Sequence, residues 1–171
     1  MKTSEDETRA AGLLGLAVRL TTAWAILGGA VLIAVVAVNV GSILGVIVGL
    51  GAVPGDFELT EMGVAVAAFA FLPYCQATGK NVAADIFTAG ASPRWLARFE
   101  TLASSAALFF GALLLWRMSL GMLDQRAYDY VTTILQVPVW WGYAASLISL
   151  ALLVFAALAT LLDALGRAVR G

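Results

Sequence analysis

The sequence predicts an all-α integral membrane protein: four transmembrane helices plus a short interfacial amphipathic helix, with both termini on the cytoplasmic side. The first observation is where the charges stand. Arg19 and Asp56, Glu61 and Lys80, Glu100 and Arg117, and Asp129 and Asp163 each bracket a run with no charged side chain. A spanning helix needs about 20 mainly apolar residues, because the hydrocarbon core is about 30 Å thick and a helix rises 1.5 Å per residue. The second is composition. Charged residues make up 12 % of the chain and hydrophobic ones 61 %, against roughly 25 % charged in a soluble domain. So much apolar surface can be covered only by lipid. The third is the placement of the cations, taken up below. At this length the chain reads as one domain, residues 1–171, with spans near 19–45, 60–78, 101–122 and 139–162.

Residues 1–12 are polar, with Glu5, Asp6 and Glu7 among the cations, and the apolar run that follows is far longer than the h-region of a cleaved signal peptide. The first span starts near Gly15 and Arg19, and its apolar run reaches Leu50. A straight helix over 20–50 would be about 46 Å long, so it must tilt, protrude or break. Ala37, Gly41, Gly45 and Gly49 recur every four residues. On a helix they form a small-residue stripe that lets a second helix approach closely in lipid. A flexible exit from the span explains the same glycines.

Val53-Pro54-Gly55-Asp56 reads as a turn, with Asp56 as N-cap of the second helix. Glu58 and Glu61 fall on one face of its first turns, where the positive end of the helix dipole stabilises carboxylates. A paired-carboxylate cation or proton site is the sharper alternative, but at the water interface burial shifts such groups little. Pro73 removes a backbone donor within the second span and should kink it. Cys75, the single cysteine, packs as a small apolar residue.

Gly79-Lys80-Asn81 ends that span, and a connector runs to about Gly90. Ser92-Pro93 marks a helix start. From there Trp95, Leu96 and Phe99 share one face and Arg94 and Arg98 another, the pattern of a short helix lying at headgroup level. The third span places Arg117 near its outer end, where its guanidinium can snorkel to the interface. A buried pairing with another subunit's carboxylate is the alternative. Residues 124–137 read as a polar loop or short surface helix, and Pro138 as the next helix start. Trp140, Trp141 and Tyr143 form an aromatic belt at the mouth of the fourth span. Asp163, Arg167 and Arg170 close the chain as an amphipathic tail.

The cations orient these spans. Lys2, Arg9, Arg19, Lys80, Arg94, Arg98, Arg167 and Arg170 fall on one side, against Arg117 and Arg126 on the other. Under the positive-inside rule the termini and the middle connector are cytoplasmic, and the first and third loops face outward.

Several functions are excluded or disfavoured. A net charge of −1 with no basic cluster offers nothing to neutralise phosphates, so no nucleic-acid partner is expected. The absence of histidine removes His-ligated haem and a histidine proton relay. One cysteine cannot form the pair of an intramembrane thiol–disulfide oxidoreductase. No cofactor, metal site or catalytic residue is expected, and the chain reads as no enzyme. A self-sufficient homo-oligomeric small transporter or channel would need a polar residue deep in a span, and Asn39, Gln76 and Arg117 lie near span ends. Internal repeats of the kind many secondary transporters carry are not evident. A membrane assembly protein outside transport remains a further alternative.

Pro54-Gly55-Asp56-Phe57-Glu58-Leu59, Glu61-Met62-Gly63, Phe69-Ala70-Phe71-Leu72-Pro73-Tyr74-Cys75-Gln76, Asn81-Val82 and Asp85-Ile86-Phe87 together resemble the DctQ-type small membrane subunit of tripartite ATP-independent periplasmic (TRAP) transporters. The likeness extends over roughly 15–165, including Leu135-Gln136-Val137-Pro138 and the aromatics after it; the 54–87 block is its specific part. The resemblance implies an accessory subunit of the bacterial inner membrane. It would pack on a large multispanning permease subunit in ion-gradient-driven, usually sodium-coupled, uptake of an organic acid or similar small solute. A periplasmic solute-binding protein would dock on the resulting platform. On this reading Gly41, Gly45, Gly49, Glu58, Glu61, Pro73 and Arg117 are candidate partner contacts, and Arg94, Trp95, Arg98, Trp140, Trp141 and Tyr143 anchor the chain at the lipid interface. Two positions depart from the pattern. Many relatives carry an arginine where this chain reads Gly45-Val46-Ile47, and a basic-His pair where it has Lys80-Asn81.

Overall fold

The computed structural model describes residues 2–79 and 93–170, with side chains described over 12–79 and 99–166. Four helices make up these residues: α1 (Lys2–Ile47), α2 (Asp56–Ala77), α3 (Pro93–Ala127) and α4 (Trp140–Arg170). Each carries a stretch long and apolar enough to cross a membrane. There is no strand among the described residues, only an isolated antiparallel bridge between Val131 and Pro138.

The chain does not fold as a symmetric bundle. Helix α4 packs against α1, α2 and α3, and α1 packs on α2, whereas α3 packs chiefly against α4. One-third (33 %) of the α4 span is buried, against 6 % of the α3 span. The core is correspondingly made of small side chains: Ala156, Ala157 and Ala159 on α4, Ala67 and Ala70 on α2, and Ala17 on α1. In lipid, helices gain little from hydrophobicity toward one another, and close backbone approach supplies dispersion contact instead. Glycines mark the tightest crossings. A Cβ added to Gly28 would stand 2.6 Å from the Ala70 Cβ, and one added to Gly63 would stand 2.3 Å from Val35 Cγ2.

Hydrogen bonds between spans pin the registers. Trp24 Nε1 donates to Ser149 Oγ at 2.9 Å, Gln76 Nε2 to Thr160 Oγ1 at 3.0 Å, and Asn39 Nδ2 to Thr60 Oγ1 at 2.7 Å. For α3 and α4 the glycines report the register. Gly121 lies against the Tyr143 ring and Gly111 against Leu153 and Val154, so the two helices run antiparallel and Arg117 falls opposite residue 147.

Several boundaries differ from expectation. Helix α1 runs unbroken through Gly41 and Gly45 and ends at Ile47, just before Gly49, with an apolar portion over Gly12–Ile47. That portion measures about 54 Å, so the excess over the hydrocarbon thickness is met by tilt or protrusion. The expected short interfacial helix is not a separate element, because Pro93–Ala127 is one continuous helix with no proline after its first residue. Its Arg94, Trp95 and Arg98 side chains, the Ser92 cap and the Lys80–Gly90 connector lie outside the described residues. Helix α3 also runs past the expected end of its span, and the polar loop begins only at Tyr128. Pro73 lies inside α2 as expected, fully buried in a helix that runs on to Ala77.

Candidate functional site

The polar chemistry of the chain gathers where α1 ends, α2 begins and the loop before α4 folds over both. Helix α1 stops at Ile47 because glycines follow: Gly49 and Gly51 take φ of +81° and +87°, a region open to glycine at little cost. The chain then turns back so closely that a Cβ on Gly45 would stand 2.5 Å from the Gly51 carbonyl oxygen. Leu50 N donates to Gly45 O at 2.8 Å and closes that turn.

The small-residue stripe is therefore helical only as far as Gly45, and Gly49 lies in the exit from the span, the alternative reading of these glycines. Gly45 receives the chain's own loop. Gly41 alone remains helical with open space beside it.

Asp56 is also not the N-cap of α2. Gly55 holds that place in the left-handed conformation (φ +77°), with the Leu135 side chain filling the space a Cβ would need. The Asp56 carboxylate accepts instead from its neighbour Phe57 N at 2.7 Å and from the Ser42 hydroxyl on α1. Ser42 Oγ in turn accepts from Val53 N at 3.1 Å. A buried serine thus ties the end of α1, the first loop and the first turn of α2 into one unit. Asn39 and Thr60 extend it one turn inward, with the Thr60 hydroxyl donating to Asp56 O at 2.7 Å.

Glu58 joins this unit to the third loop. Its Oε1 accepts from Ile134 N at 2.7 Å and its Oε2 from Leu135 N at 2.9 Å. Hydrogen bonds to a carboxylate are among the stronger ones. The loop is shaped to offer those amides. Thr132 N donates to Val137 O and Val139 N to Tyr130 O, while Gln136 takes a positive φ of 54° to complete the turn. Glu58 and Glu61 therefore do different things: Glu58 is committed to the loop and Glu61 is exposed. Beneath the loop lies an open, wholly apolar recess of about 360 Å³ between α1, α2 and the start of α4, lined by Val31, Val35, Met62, Val66, Val137 and Trp141.

The aromatic residues divide likewise. The Arg126 guanidinium lies over the Trp140 ring at 5.6 Å, Trp141 is exposed, and Tyr143 packs on Gly121. Arg117 is exposed on α3, with the ring of Trp116 6.0 Å away. Pro73 is enclosed by the chain's own helices and is not available to a second subunit. Ser42, Leu135, Trp24, Ser149 and Thr160 were not singled out from the sequence for these contacts. A serine or threonine within a span, which must bond to something inside the membrane, is the signal that could have found three of them.

The comparisons agree with this architecture. The model of the DctQ component of tripartite ATP-independent periplasmic transporters matches residues 43–167. That stretch holds the first loop, α2, α3, the third loop and nearly all of α4, and it begins just after Ser42 near the end of α1. No curated protein and no solved structure matches the chain significantly. The chain belongs to the DctQ family and is the small subunit of a TRAP transporter. It is thus a multi-pass inner-membrane protein and a transporter component, from a family that is not one of enzymes.

Proposed function

We propose that the chain packs on the large multispanning permease subunit and serves ion-gradient-driven, binding-protein-dependent uptake of an organic acid or similar small solute. Both termini are cytoplasmic in this reading, and the clasped ends of the helices face the periplasm, where the solute-binding protein docks. The observation that carries it is the use made of polar groups within the spans. Trp24, Ser149, Gln76, Thr160, Asn39 and Thr60 bond to one another across helices, so they stiffen the chain and are not free to line a solute path. A core of α1, α2 and α4 braced in this way, with largely apolar outer surfaces around it, suits a subunit that grips another protein.

Reconstitution tests the reading. Liposomes holding this chain with the permease subunit and the binding protein should accumulate solute when an ion gradient is imposed, and liposomes holding this chain alone should not. Uptake by the chain alone would overturn it in favour of the self-sufficient transporter.

A further inference from the structure

We propose that the outward face of α3 is the surface that meets the permease subunit, and that Arg117 pairs there with a carboxylate of that subunit inside the membrane. The inference rests on the reading above that the two subunits pack together. Three observations carry it.

Helix α3 is the peripheral helix: it packs chiefly on α4 and leaves the opposite face bare. Phe109, Leu113, Trp116 and Leu120 recur there at helical spacing, from 39 to 64 % exposed, and Arg117 stands among them.

Arg117 also lies deeper than the expected place near the outer end of its span, because α3 runs on to Ala127. In the antiparallel register with α4 it is level with residue 147, seven residues or about 10 Å inward of Trp140 along the helix. Arg126, by contrast, reaches the Trp140 ring itself.

The third observation is direction. Side chains on a helix lean toward its N-terminus. The interface nearer Arg117 lies at the C-terminal end of α3, where Arg126 and Trp140 meet. The lean of the side chain therefore carries the guanidinium away from that interface, and snorkelling has to work against it. Among the described residues no carboxylate pairs with Arg117, and its recorded contact is the face of its neighbour Trp116. A guanidinium held at that depth calls for an anion at the same depth, and a carboxylate matches its planar fork. A partner helix carrying an aspartate or glutamate level with Arg117 and an apolar surface around it supplies both.

The test co-expresses the full chain with the permease subunit, extracts the complex and measures the permease recovered with wild type, R117L and R117K. In parallel, a photoreactive phenylalanine analogue replaces Phe109 in the otherwise native chain. Wild type that recovers no permease overturns the packing reading itself. Given wild-type recovery, the inference expects R117L to lower it by roughly tenfold or more, R117K to restore part of it, and the probe at position 109 to cross-link to the permease. Undiminished recovery with R117L, or cross-linking at position 109 to lipid alone, overturns the inference and leaves Arg117 an anchor for lipid phosphates. Should R117L prove unfolded by itself, the position-109 probe, which keeps Arg117, decides.

Discussion

At the scale of single residues, the clasp of α1, α2 and the third loop shows how two carboxylates and two glycines come to different ends. Asp56 and Glu58 are two residues apart, yet one faces α1 through Ser42 and the other faces the third loop through two backbone amides. Their spacing puts them on different sides of α2, and each finds the donors of the segment packed there. Glu58→Ala leaves the Ile134 and Leu135 amides without their acceptor. Hydrogen exchange at those two amides should quicken several-fold while the amides of α2 stay protected, because the loop loses its tie and the helix keeps its own bonds. Unchanged exchange at 134–135 would show that the loop is held by its internal bonds alone. Sequence spacing could place Glu58 at a helix start, but it could not say which loop, more than seventy residues on, would fold over it. For Gly49 the spacing misled: the four-residue recurrence holds only while the helix lasts, and Gly49 lies beyond its end at Ile47.

At the scale of elements, the contacts of α1 are set by a few positions where a side chain would not fit. Gly28 touches Ala70, while Gly29 has nothing within 4 Å of where its Cβ would be. Gly28→Leu should therefore force α1 away from α2 and cost about 1–3 kcal/mol by overpacking. Gly29→Leu, on the open side, should cost little more than noise in the same unfolding measurement. Equal effects of the two would mean that the α1–α2 crossing is looser than the structure shows. Helix α3 is the contrasting element. With one principal neighbour, it has the most surface left for lipid or protein, and a cation exposed at depth costs about 2.5–3.5 kcal/mol at a helix centre on insertion scales. The element boundaries themselves were partly legible. Existence and order of the four helices followed from charge-free runs, whereas the joining of the expected interfacial helix to α3 did not. An amphipathic stretch of helix has the same pattern whether it lies along the headgroups or continues straight into the span.

At the scale of the whole molecule, orientation can be settled by labelling. With Cys75→Ser as background, Thr133→Cys should react with a membrane-impermeant thiol reagent in intact cells, whereas Ser4→Cys should react only after permeabilisation. The reverse pattern would invert the topology drawn from the cations. The arrangement of helices was not legible in the sequence. Arg117 apart, the spans carry apolar side chains around most of their circumference, so their composition identifies lipid as solvent while saying little about which faces meet. What ranks them is the placement of small residues and of span serines and threonines, and these acquire meaning only when the facing residue is known, as for Ser149 beneath Trp24 or Thr160 beside Gln76.

By itself, then, the sequence determined that this protein lives in a membrane, crosses it four times and carries the 54–87 pattern of a TRAP small subunit. Those properties follow from length, hydropathy and local spacing, which a linear chain states directly. Only the tertiary structure decided that α4 is the central helix, that Asp56 and Glu58 clasp the start of α2 to α1 and to the third loop, and that α3 stands at the edge with Arg117 exposed. Those depend on which surfaces meet, and in lipid that choice is made by small differences in close packing and by a handful of hydrogen bonds between residues far apart in the chain.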